Sequence, residues 1–217
     1  MIPKPYVCLA QEAASELVIK KSRFLCRLIP AETEEQARQE IEKVRKEHYN
    51  ARHNCFAMIL GANRDFEKSS DDGEPQGTAG VPMLEVLRKS GLTNILAVVT
   101  RYFGGTLLGA GGLVRAYGGA VSEALRTAKR EVHIPAVVLR LRIDYADYGK
   151  LQSIAAEYGA KVEADYGEKV EARAVFRQAD YDAVAKRITE AFLGADVYEK
   201  DGECYLTEQV VPQEPTE

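Results

Sequence analysis

The feature that most narrows the fold is the order of elements after Pro135. A strand-like segment (Ala136 to Ile143) is followed by a helix (Tyr145 to Tyr158) and two strands (Lys161 to Tyr166, Val170 to Phe176). A second helix (Tyr181 to Leu193) and a last strand (Asp196 to Leu206) complete the series. Gly159, Gly167 and Gly194 stand where the connecting turns are needed. This order predicts a ferredoxin-like βαββαβ sandwich. At 217 residues the chain is longer than one usual domain, so another unit is expected ahead of it. We therefore expect a first domain at 1–134, a ferredoxin-like domain at 135–210 and a flexible tail at 211–217.

The first half mixes both element types, which makes the whole chain α+β. Ser15 to Pro30 reads as two strand-length pieces around Lys20-Lys21-Ser22, a hairpin or a bent strand. Thr33 ahead of Glu34-Glu35-Gln36 is a capping box, and Ala37, Ile41, Val44 and Tyr49 follow helical spacing, so Glu34 to Tyr49 is expected to be an amphipathic helix. His53 to Leu60 reads as a buried strand, with a short partner from Phe66 to Ser69. Ser70 to Gly80 is polar and rich in turn formers, hence loop. A helix then opens at Thr78 or Gly80, has Pro82 in its first turn and Met83, Val86 and Leu87 on one face, and ends at Gly91. Asn94 to Thr100, the most apolar strand, runs into a glycine-rich passage and a small-residue helix expected to reach about Arg130.

Composition excludes several classes. Apolar residues make up 46% and charged residues 29%, as in ordinary globular proteins. The start, Met1-Ile-Pro-Lys-Pro, lacks the apolar core of a signal peptide, and no apolar run is long enough to span a bilayer. The four cysteines show no CxxC spacing, which fits reduced thiols in a cytoplasmic protein. Residues 1–134 carry 19 basic against 16 acidic side chains and the rest 10 against 17, so the halves stand at +3 and −7. The first half is the one suited to an anion or nucleic acid, although +3 falls short of a strongly basic domain.

Three constellations could carry chemistry. Asp71, Asp72 and Glu74 crowd one loop, either as a site for a hard cation or as an acidic surface turn; the spacing is not that of a calcium loop. Gly104, Gly105, Gly109, Gly111 and Gly112 mark a strand-to-helix passage whose exposed amides would suit an anion, yet the spacing matches neither a nucleotide-triphosphate loop nor a dinucleotide fingerprint. Close packing is the other explanation for Gly111, Gly112, Gly118 and Gly119. Arg101 and Arg115 would both point at this turn, or Arg101 would pair with the acidic loop in a buried network. His53 and Cys55 share one strand face, but no oxyanion motif accompanies them, and no Gly-x-Ser-x-Gly elbow occurs.

Three segments taken together carry a resemblance: Ala51-Arg-His-Asn-Cys-Phe, Ser70-Asp-Asp-Gly-Glu-Pro-Gln-Gly-Thr-Ala-Gly, and Val98-Val-Thr-Arg-Tyr-Phe-Gly-Gly-Thr-Leu-Leu-Gly-Ala-Gly-Gly-Leu-Val-Arg-Ala-Tyr117. In this order they resemble the YigZ/IMPACT family, over roughly residues 15 to 130, with Phe56 where relatives often have tryptophan. The resemblance implies a first domain like the second domain of ribosomal protein S-five and a ferredoxin-like second domain, an arrangement similar to the last domains of elongation factor G. Eukaryotic relatives regulate translation through a different, N-terminal domain, so their partner does not carry over. His53, Asp71, Asp72, Glu74, Arg101 and Arg115 stand at signature positions.

Two functions follow as expectations. In the first, the protein is a translation-associated regulatory or binding protein whose first domain contacts RNA, the ribosome or a translation factor. Its expected binding cleft comprises His53, Asp71, Asp72, Glu74, Arg101, Tyr102, Gly104, Gly105, Gly111, Gly112 and Arg115. In this reading Tyr102 and Phe103 beside Arg101 stack on a base if exposed. The alternative is a metal- or phosphate-dependent enzyme using the acidic loop with His53, Arg101 and Arg115. It requires free, convergent carboxylates, and fails if they are used up in pairs. The sequence assigns no catalytic residue, metal, cofactor, membrane partner or oligomeric state.

Overall fold

The structure, a computed structural model, describes residues 4–210. The expected flexible tail at 211–217 lies outside them. The contacts divide the chain into two compact units, one built on Tyr6–Val132 and one on His133–Thr207.

In the first unit, β1 (Tyr6–Leu9) is followed by the hairpin β2 (Ala13–Ile19) and β3 (Ser22–Pro30). The hairpin turns at Lys20 and Lys21, both at positive φ, so the two-residue turn comes at the polar break in the apolar pattern. Helix α1 (Glu34–Glu47) begins with the full capping box between Thr33 and Gln36 and buries Ala37, Ile41 and Val44. Tyr49 does not continue that stripe. The helix ends at His48, and Tyr49 is 78% exposed. Strands β4 (His53–Leu60) and β5 (Phe66–Ser70) precede α2 (Gly80–Ser90), which buries Met83, Leu84 and Leu87 and stops at the left-handed Gly91. The apolar strand β6 (Ile95–Tyr102) leads to α3 (Ala110–Thr127).

The sheet order is β2-β3-β6-β4-β5, with β6 antiparallel between β3 and β4. Because alternate residues of a strand face opposite sides, the central strands feed two cores. On the front, Cys55, Ala57, Ile59, Ile95, Ala97 and Val99 pack with α2 and α3; on the back, Met58, Leu60, Leu96 and Val98 pack under α1. Such doubly covered strands read in sequence as near-continuous apolar runs.

Helix α3 ends at Thr127 rather than near Arg130, because Ala128 turns extended (φ −69°, ψ 128°). The following strand, β7 (Arg130–Ile143), runs without a break through Pro135. After it come α4 (Tyr148–Glu157), β8 (Lys161–Tyr166), β9 (Val170–Arg177), α5 (Tyr181–Ala191) and β10 (Tyr198–Gln209), each helix entered through a short 3-10 turn. Antiparallel pairing of β7 with β9 and of β9 with β8, and the pairing of β10 with β7, give the lateral order β10-β7-β9-β8. This is the order of a ferredoxin-like sheet, with the two helices over a core of Val137, Leu139, Leu141, Phe176, Val184 and Ile188. No helix among the described residues is long and apolar enough to cross a membrane.

Candidate functional site

Strand pairing sets which sequence-predicted residues meet. Phe24, Arg101 and His53 stand side by side across β3, β6 and β4. In phase with Val99 and Cys55, they face the front of the sheet. Tyr102, one residue on, faces the back. Its hydroxyl and His48 Nδ1 lie 3.0 Å apart in a hydrogen bond, with the two rings edge to face, so Tyr102 belongs to the α1 side and does not join Arg101 in one cleft.

Arg101 is held in the protein. Its side chain is 8% exposed and that of Glu74 3% exposed, with Nη1 donating to Glu74 Oε1 at 2.6 Å. The Tyr117 hydroxyl donates to the same oxygen at 2.8 Å from α3. Burial, followed by the nearby Cys55 and Glu74 groups, pushes the Tyr117 phenol far above its ordinary value, which keeps it a donor. The guanidinium carbon lies 5.5 Å from the Phe24 ring centroid and 5.7 Å from that of Phe103, while buried Nε has no acceptor. The buried-network reading of Arg101 is therefore the one observed, with Glu74 as the partner.

The other two carboxylates also serve the fold. Asp71 accepts from the amides of Gly77 (2.8 Å), Ala79 (3.0 Å) and Gly80 (2.8 Å), and so caps α2, whose own N-cap residue Ala79 has no side-chain acceptor. Partial burial works to raise its pKa, but these three amides outweigh it and hold the carboxyl below its ordinary value. Asp72, at φ +42°, turns the other way: one oxygen accepts from Asn54 N at 2.7 Å and the other pairs with Arg45 of α1 at 2.8 Å. The acidic loop is thus a set of three separate anchors. The enzyme alternative loses the free, convergent carboxylates it required.

His53 donates Nδ1–H to the Asp72 carbonyl at 2.9 Å, since a carbonyl can only accept. Gly73, at φ +85°, lies against that ring, where a Cβ would come 3.4 Å from Nδ1. Cys55 donates its thiol to the Asp71 carbonyl at 2.9 Å, and burial pushes it up to about 12. A thiol so protonated is not a nucleophile at neutral pH.

The glycine-rich passage behaves differently from these anchors. Gly104 is required by contact: a Cβ there would fall 2.0 Å from the Lys21 backbone carbon, and its amide donates to Ser22 Oγ at 3.1 Å. Gly105 and Gly109 take positive φ, and Gly112 sits against Leu108. Gly118 and Gly119 are not forced by close packing, since a Cβ at either would meet only ordinary van der Waals contacts. Gly109 provides no side-chain cap for α3. Arg115 does not join Arg101. It is exposed, has no ion pair or hydrogen bond among the described residues, and folds back so that Nη1 lies 3.8 Å from the Cβ position of Gly111. Around it the loop leaves Phe103 54% and Leu107 81% exposed.

Sequence reasoning passed over Tyr117, Phe24, Arg45 and Asn54, which build the network. Tyr117 carried a signal, being the one aromatic residue on a helix face otherwise made of alanine, leucine and valine.

Residues 20–125 match the Impact N-terminal domain family, and residues 141–195 match a domain of unknown function, DUF1949. The chain is 48% identical over 154 residues to IMPACT family member YvyE of Bacillus subtilis, covering 68% of each chain. It is 42% identical over 164 residues to IMPACT family member YigZ of Escherichia coli, covering 75% of this chain and 78% of that one. A crystal structure described as a hypothetical protein is 34% identical, with a TM-score of 0.62 over 97% of this chain and 99% of that chain.

Proposed function

The chain belongs to the IMPACT family, and on that footing we propose that it is a translation-associated regulatory or binding protein whose first domain contacts RNA, the ribosome or a translation factor. The observation that carries this reading is the contrast between the acidic loop and the strand-to-helix passage beside it. Asp71, Asp72 and Glu74 are tied into the protein, whereas Phe103, Leu107 and Arg115 are exposed, with Arg115 unpaired among the described residues. Rigid scaffolds that present free groups on a loop are suited to binding. The charge of +3 over residues 1–134, against −7 for the rest, favours an anionic partner for the first domain. We also propose that 1–134 and 135–210 act as separate domains, and that His53 and the glycine-rich turn define one working rim beside the buried Arg101.

Co-sedimentation with ribosomes and with structured RNA, over a series of salt concentrations, tests this. Binding that weakens as salt rises is expected, since released counterions drive contacts to phosphate. Absence of association at low salt, or a flat salt response, removes nucleic acid from the account.

A further inference from the structure

We propose that Phe103 is a stacking platform for an unpaired base of single-stranded RNA, backed by Arg101, with Arg115 at the start of the following helix as the phosphate contact. This deepens the binding reading above and rests on it. The Phe103 ring is left 54% exposed, open to contact with a planar ligand. Here the ring is also held in place. Arg101, fixed by the Glu74 and Tyr117 hydrogen bonds, lies 5.7 Å from its centroid.

The same guanidinium lies 5.5 Å from the ring centroid of Phe24, which is buried with 0% exposure, so Phe103 neighbours a cation held in the protein and offers its remaining surface to solvent. Anchoring continues on the chain's other side, where Gly104 is wedged against the Lys21–Ser22 backbone. A preorganised ring loses little freedom on stacking, and every base has a face to place on it. Arg115 supplies the second element, an exposed guanidinium with no partner among the described residues, turned back over the first turn of α3. The seven residues from Phe103 to Ala110 hold their backbones within about 25 Å of each other at most. A strand of about four or more nucleotides reaches across any separation within that limit. His53 stands beside Arg101 in the sheet, its Nδ1 tied to the Asp72 carbonyl.

Fluorescence anisotropy of the full chain with a labelled oligouridine of about twelve nucleotides, at two salt concentrations, tests the proposal, because site sizes of this class lie at about 4–16 nucleotides. Phe103→Ala is expected to weaken binding about 5- to 150-fold, the range for loss of one stacked base. Phe103→Tyr is expected to retain the parent affinity. Phe103→Leu is expected to lose it as Ala does, because an apolar side chain without a π face does not stack. Arg115→Ala is expected to weaken binding and lower the salt slope by about 0.7, the contribution of one single-strand phosphate. Unchanged melting temperatures of these variants show that the fold is intact.

Parent-like RNA binding by Phe103→Ala overturns the proposal, as does failure of the parent to bind the oligonucleotide. Phe103→Leu binding like the parent also overturns it, because an apolar side chain without a π face then suffices. Co-sedimentation of the parent with ribosomes separates the two levels: retained with no oligonucleotide binding, it removes only the platform; absent as well, it removes RNA and the ribosome from the broader reading too.

Discussion

Replacing Arg101 by methionine removes a cation from a site where its carboxylate partner is almost sealed from water. Glu74, 3% exposed, would keep only the Tyr117 hydroxyl on Oε1. Breaking a buried pair by deleting one member costs about 3–5 kcal/mol, mostly because the remaining charge is uncompensated. Glu74→Gln leaves the opposite problem, a buried guanidinium between two rings, and is expected to cost about 3 kcal/mol. Arg101→Met combined with Glu74→Gln leaves a neutral amide able to accept from Tyr117, so the double variant is expected to lose about 2–3 kcal/mol less than the sum of the singles. Hydrogen exchange of the β6 amides, read by mass spectrometry of peptides spanning 95–102, reports the opening free energy of this region directly. Urea unfolding followed by circular dichroism provides the second measure. Additive costs, within about 0.5 kcal/mol, would mean that the two side chains do not sense each other and would refute the buried-pair account.

Four further outcomes follow from the same geometry. Asp71→Ala is expected to destabilise the first unit by about 2 kcal/mol through loss of the α2 cap. Since the Asp71 carboxyl is held below its ordinary 3.8, its contribution is complete above that pH and is lost as pH falls through the lower folded value; acid melts of the parent should show this loss, and Asp71→Asn should lack it. Gly104→Ala, driven into the Lys21 backbone, is expected to cost about 3 kcal/mol or more in urea titration, whereas Gly119→Ala, 3.5 Å from Leu17 Cδ1, is expected to gain about 0.5–1 kcal/mol by stiffening α3. Cys55 is expected to resist iodoacetamide at pH 8 in the native protein and to react in denaturant; rapid native labelling would contradict its burial.

Local signals carried much of the fold. The Thr33–Gln36 capping box, the Lys20-Lys21 turn, the Met83/Leu87 stripe and the stop at Gly91 depend on residues a few positions apart, and each stands where its sequence pattern puts it. Errors came where a local pattern ended. Tyr49 kept the helical spacing after the helix had stopped, and the charged stretch near Arg130 could continue a helix or begin a strand with equal local propensity. The site was legible as a neighbourhood and not as a set of roles. Three carboxylates within four positions look equivalent in a string, yet one caps a helix, one ties a helix to a strand and one neutralises an arginine. Their division depends on Asp72 and Gly73 at positive φ and, for Asp72 and Glu74, on Arg45, Arg101 and Tyr117, 27 to 43 residues away. Tyr102 was misplaced for a simpler reason: adjacent strand residues face opposite ways, so proximity to Arg101 in sequence guarantees separation in space.

The reversal at Asp71 and Asp72 has a mechanical consequence. Two neighbouring residues grip opposite faces of one sheet, Asp71 holding α2 in front and Asp72 holding Arg45 of α1 behind. The loop therefore works as a clasp across the sheet end, tying the helix behind the sheet to the helix in front of it. Loosening α1 from behind tugs at the backbone that positions Glu74, and so at the arginine beneath the Phe103 ring.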